Sequence, residues 1–131
     1  MKILFETDEL KIEHEFETAY LIEKKTGKKL LSDDFYGDPR CGLIGKNNDW
    51  AIIGGEHLTV WINGKVEKIK DEKLKWIHSM RIKDNMIIEI LTDPWSDHSA
   101  IWWLRLDTLE YKKISDFDKY KGREYCENVE W

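Results

Sequence analysis

Three stretches decide the fold: AYLIEKKTGKKLLSDDF at 19–35, HLTVWINGKVEKIKDE at 57–72, and AIWWLRLDTLEYKKISDF at 100–117. Each passes from an apolar, strand-like run through a short polar turn into a basic stretch. That stretch closes on Leu or Ile and meets an acidic stop. With Leu31, Ile69 and Ile114 taken as equivalent, the copies lie 38 and 45 residues apart. A strand-built period of roughly 40–50 residues is the mark of propeller blades.

Working outward, alternation with a period of two dominates and helical periodicity is nearly absent. In LKIEHEF, Leu10, Ile12, His14 and Phe16 share one face, while Lys11, Glu13 and Glu15 share the other. Thr26-Gly27, Asn47-Asn48-Asp49, Asn63-Gly64 and Asp84-Asn85 supply residues that tolerate positive φ and so predict tight turns. Each repeat then divides into four strands: 2–6, 10–16, 19–24 and 28–31; 41–44, 50–53, 58–62 and 66–69; 74–82, 86–92, 100–106 and 109–114. The tail from Ser115 to Trp131 breaks the pattern and suggests one helical turn or a capping strand.

The expected fold is all-β: about twelve short antiparallel strands in three four-stranded repeats, partially propeller-like. A β-sandwich or barrel is the alternative, because hairpins share turn chemistry. Closed propellers typically need at least four blades, so three would leave flanks for the tail, a second copy or a partner to cover.

A length of 131 residues suits a single domain, here 1–131. Seven Trp supply much apolar area to a thin β layer. Lys and Arg total 21 against 26 Asp and Glu, a net charge of −5. That balance argues against direct nucleic-acid binding and against an anionic membrane, and is compatible with a basic protein partner. No apolar run is long enough for a signal-peptide core or a bilayer span, so a soluble, cytoplasmic protein is expected. Cys41 and Cys126 do not form a disulfide framework, and two free thiols are expected.

Chemistry is sparse. Glu56-His57 and Asp97-His98 each precede the third strand of a repeat, and a carboxylate beside histidine is the material of general acid–base catalysis. Adjacent residues on an extended chain point to opposite faces, however, so these read first as turn residues. His14, His57, His78 and His98 lack metal-ligand spacing, and neither cysteine has a CxxC partner. Cys41 follows Arg40 in a glycine-containing loop without a histidine nearby in sequence. No cofactor or metal is expected.

Two features speak for binding. Glu13, Glu15 and Glu17 project from one strand face, and Asp33, Asp34 and Asp38 crowd the loop after it. Like charges in rows repel unless neighbours or a basic partner compensate them. Trp95 follows Pro94 in the polar turn DPWSDHS beside Asp97, where an exposed indole would anchor an interface or stack on a sugar.

The segments DFYGDPRCGLIG (34–45), WAIIGGEHLTVWI (50–62) and LTDPWSDHSAIWWL (91–104), in a small, acidic, Trp-rich β chain, resemble the immunity proteins of bacterial polymorphic toxin and contact-dependent growth inhibition systems. The resemblance implies a cytosolic inhibitor of a cognate toxin, most simply a basic nuclease domain. Glu13, Glu15, Glu17, Asp33, Asp34, Asp38, Trp95 and Asp97 are the expected partner-binding residues. A carbohydrate- or peptide-binding β module using exposed Trp is the alternative, and a small enzyme using the acid–histidine pairs the third reading.

Overall fold

The computed structural model describes all residues, Met1–Trp131. Twelve strands form three four-stranded antiparallel sheets, each a meander in sequence order. Sheet 1 holds β1 (Lys2–Glu6), β2 (Leu10–Glu15), β3 (Thr18–Glu23) and β4 (Lys29–Asp34). Sheet 2 holds β5 (Cys41–Ile44), β6 (Trp50–Gly54), β7 (Leu58–Ile62) and β8 (Lys65–Ile69). Sheet 3 holds β9 (Ile77–Asp84), β10 (Ile87–Thr92), β11 (Ala100–Arg105) and β12 (Tyr111–Asp116). The positions aligned in the repeat, Leu31, Ile69 and Ile114, all fall in fourth strands.

Turn chemistry sets the hairpins. Asn63 and Gly64 both take positive φ in the two-residue loop between β7 and β8, as a type I′ turn requires. Gly27 and Asn48 do the same work after β3 and β5. Two expected strand starts shift by more than one residue, for backbone reasons. β9 begins at Ile77 rather than Leu74 because Trp76 sits at φ 55°, and β12 begins at Tyr111 because Leu109 turns at φ 61°. β4 runs on through Asp34, so Asp33 and Asp34 are strand residues, not loop residues. The tail is neither helix nor strand beyond β12. It folds into turns closed by Lys121 N–H to Asp118 O and Arg123 N–H to Tyr120 O.

The chain forms two compact units, Met1–Ile77 and His78–Trp131. In the first, the inner faces of sheets 1 and 2 share a core of Leu10, Ile12, Ala19, Leu21 and Leu31 with Ile44, Ala51 and Ile53. Residues such as Ile12, Leu21 and Ile53 are fully buried, and each contributes about 1.5–3 kcal/mol on leaving water. The sheets approach closely at Gly42, where an added Cβ would lie 2.9 Å from Ile12 Cδ1.

In the second unit the register aligns Ile88 with Leu104 and Ile90 with Trp102 on one buried face. Ile87, Glu89, Trp103 and Arg105 lie on the other, more open face. No helix is long and apolar enough to cross a membrane.

Candidate partner-binding surface

The densest cluster of ionisable groups joins the two sheets of the first unit. Asp33 on β4 and His57 just before β7 are both buried, at 3% and 2% exposure. His57 Nε2 stands 2.8 Å from Asp33 Oδ2, and Nδ1 stands 3.2 Å from Glu56 Oε2. Carboxylates only accept, so both contacts are hydrogen bonds together only when both ring nitrogens carry protons. The Thr59 hydroxyl donates to the same Asp33 oxygen. Lys68 Nζ lies 2.8 Å from Asp33 Oδ1 and forms an ion pair with it.

Burial pushes the Asp33 carboxyl up. The bond to His57, the Lys68 ammonium and the Thr59 hydroxyl outweigh it and hold the carboxyl well below the usual range. Thus Glu56 and His57 do touch, against the expectation for neighbours on an extended strand. A general base must reach a substrate proton, yet both His57 nitrogens are engaged and Phe35 stacks on its ring at 4.1 Å. The network fastens sheet 1 to sheet 2.

Around this fastening, one end of the unit carries exposed aromatic rings. The β2–β3 turn places Phe16 at φ 53° with 79% of its surface exposed. His14 Nδ1 meets the Phe16 carbonyl at 2.9 Å, and Glu17 O accepts the Phe35 N–H at 2.8 Å. The Glu17 carboxylate accepts the Gly37 N–H, which ties the turn to the β4–β5 loop. That loop presents Tyr36, 74% exposed, edge-on to Trp76 at 6.1 Å. Trp76, 44% exposed at φ 55°, is held by its N–H to Glu56 O at 3.2 Å and by Ile77 N–H to Gly55 O at 2.7 Å. An added Cβ on Gly55 would lie 2.8 Å from Phe35 Cδ2, so this loop packs too closely for a side chain.

A left-handed backbone costs an L-residue roughly 1–2 kcal/mol. For bulky residues it is an outlier, of the kind that clusters where structure serves function. Phe16 and Trp76 both accept it; the Phe16 side chain stands in water, and the partly exposed Trp76 ring lies between Tyr36 and the Lys75 ammonium, 5.8 Å from its centroid.

The sequence-derived candidates distribute unevenly. Glu15, Glu17, Asp34 and Asp38 are exposed in the first unit. Asp34 accepts the Thr18 hydroxyl at 2.7 Å, and Glu17 sits in the turn after β2 rather than on its face. Glu13 shares the outer face with Glu15 but is buried, with Lys11 Nζ at 3.3 Å. Asp33 points inward from β4 and is withdrawn from any partner.

In the second unit, Trp95 is half-buried beside His78, Tyr120 and Tyr125, its ring 4.9 Å from that of Tyr125, so it is no free-standing indole. Asp97 is exposed, with Lys121 Nζ 4.0 Å away. Burial pushes the Cys41 thiol up to about 12, which removes the thiolate that nucleophilic chemistry needs.

Phe16, Tyr36 and Trp76 escaped the sequence reading. Phe16 continued the apolar alternation of β2 and Trp76 fell within an apolar run, so both resembled core. The available signal was Phe16 preceding a polar Glu-Thr pair at a hairpin bend.

No family model, curated protein or solved structure matches this chain.

Proposed function

We propose that this chain is a non-enzymatic binding protein whose first unit docks a basic protein partner. In the simplest case it is an immunity protein that neutralises a cognate nuclease toxin in the cytoplasm. One observation carries the reading: Phe16, Tyr36 and Trp76 are exposed at one end of the unit, two of them in left-handed backbone, among Glu15, Glu17, Asp34, Asp38 and Glu56. Aromatic rings of this kind supply the hot spots of interfaces, and surrounding carboxylates steer a cationic surface into place. The engagement of His57 by two carboxylates and Phe35 supports binding over turnover.

The test is a binding and neutralisation assay against the product of the neighbouring open reading frame. Tyr36→Ala with Trp76→Ala is expected to weaken affinity by about 1,000-fold, the scale of two truncated hot-spot residues. Charge reversal at Glu15 and Asp38 is expected to slow association more than it speeds dissociation. Unchanged affinity and protection in both variants, with the fold intact by circular dichroism, refutes this surface.

A further inference from the structure

We propose that the open face of sheet 3 binds a small planar anion, a ring carrying one phosphate or carboxylate group, in a pocket beside Trp103. This rests on the second unit alone and is independent of the protein-partner reading. The pocket has a volume of about 340 Å³ and is lined by Ile87, Trp103, Arg105, Glu110, Tyr111 and Lys112. That is within the roughly 300–1,000 Å³ range of small-molecule sites. The register explains the grouping: Ile87 pairs with Arg105 and Trp103 with Lys112, which puts all four on one face of three adjacent strands. Tyr111 pairs with Leu104, and its ring lies 6.1 Å from that of Trp102.

The indole of Trp103 is fixed before any ligand arrives. Its Nε1 donates to Glu89 Oε2 at 2.9 Å, and Arg81 Nε holds the other oxygen of that carboxylate at 2.7 Å. Burial raises the Glu89 carboxyl, but these two donors hold it below the usual range, so it stays an acceptor. Lys83 Nζ sits 4.7 Å from the Trp103 ring centroid. A ring so anchored gives a stacking platform at little ordering cost, and Ile87 extends it with apolar surface.

Charge then selects the ligand. Arg105 is already engaged by Asp107 at 2.9 Å, whereas the exposed Lys112 has no ion-pair partner and stands directly opposite Trp103 in the register. Lys83, at the Trp103 ring, is likewise without an ion-pair partner, but Lys112 is the unpaired cation in the pocket lining and so the one placed to meet an anion there. Glu110 opposes a bare anion and is suited to accept a hydrogen bond from a ring N–H or an exocyclic amino group. A ligand that stacks, donates and carries one negative group satisfies all three demands; an isolated phosphate satisfies one.

The experiment uses the full chain labelled with ¹⁵N, with the Trp103 indole resonance assigned through Trp103→Phe. Adenosine monophosphate and indole-3-acetate are titrated separately, alongside inorganic phosphate. A saturable shift of the Trp103 resonance by either ring-bearing probe, weakened about tenfold in Lys112→Glu, is the expected result, tenfold being the scale of one charge-assisted contact. Response to one probe alone supports the proposal for that combination of ring and anionic group. The proposal is overturned by no saturable shift with either probe, by equal binding of inorganic phosphate, or by unchanged affinity in Lys112→Glu.

Discussion

Replacing Asp33 by Asn removes one charge from the fastening between sheets 1 and 2 while keeping its shape. The wild-type carboxylate faces His57 at 2.8 Å, Lys68 at 2.8 Å and the Thr59 hydroxyl, and is almost wholly buried. Removing one partner of a buried charge pair costs about 3–5 kcal/mol because the other is left uncompensated. Lys68 is partly exposed and regains water, so the lower end, about 3 kcal/mol, is expected. For a chain of this size that lowers the melting temperature by roughly 10 °C.

The effect depends on pH with a definite sign. The folded carboxyl lies below its unfolded value, so its contribution is complete above the unfolded value, about 3.9. It is lost as pH falls from there through the lower folded value. Urea denaturation followed by circular dichroism at pH 7 and again near pH 2.5 is the assay. A wide gap between wild type and Asp33→Asn at pH 7 that narrows in acid is expected. A loss under about 1 kcal/mol at pH 7, or a gap that widens in acid, refutes the network as described.

Two further outcomes follow from local geometry. Phe16→Gly relieves a left-handed backbone and exposes no core, so stability is expected to hold or rise by about 1 kcal/mol in thermal melts while partner binding falls. A loss above 1 kcal/mol assigns Phe16 to packing. With the thiol of Cys41 pushed up to about 12, iodoacetamide at pH 8 is expected to label Cys126 well ahead of Cys41, read by peptide mass; the reverse order contradicts the raised Cys41 thiol.

The strands were legible because their determinants are local. Alternation marks a half-buried strand, and Asn63-Gly64 specifies its own turn whatever lies around it. β1, β5 and β7 coincide with their expected bounds for this reason. The candidate surface was only half legible. Charge named Glu15, Glu17, Asp34 and Asp38, which are exposed, together with Glu13 and Asp33, which are buried, and aromatic residues carry the same letter in core and in water. Trp95 looked solvent-facing in its polar turn and proved half-buried among rings that the tail brings back to it.

Asp33 and Asp34 draw the boundary most sharply. They are chemically identical neighbours, and the alternation that carries Leu31 and Phe35 inward puts Asp33 on the same face, but no residue nearby supplies the charges that make its burial tolerable. The pleat sends them to opposite faces, and sheet 2 supplies His57, Thr59 and Lys68 opposite the first, from 24 to 35 positions along the chain. By itself the sequence determined the sheets, their order and their turns, through forces that act between near neighbours. Tertiary structure alone decided which charges were neutralised inside and which rings stayed in water, because burial depends on groups that meet only after the sheets pack.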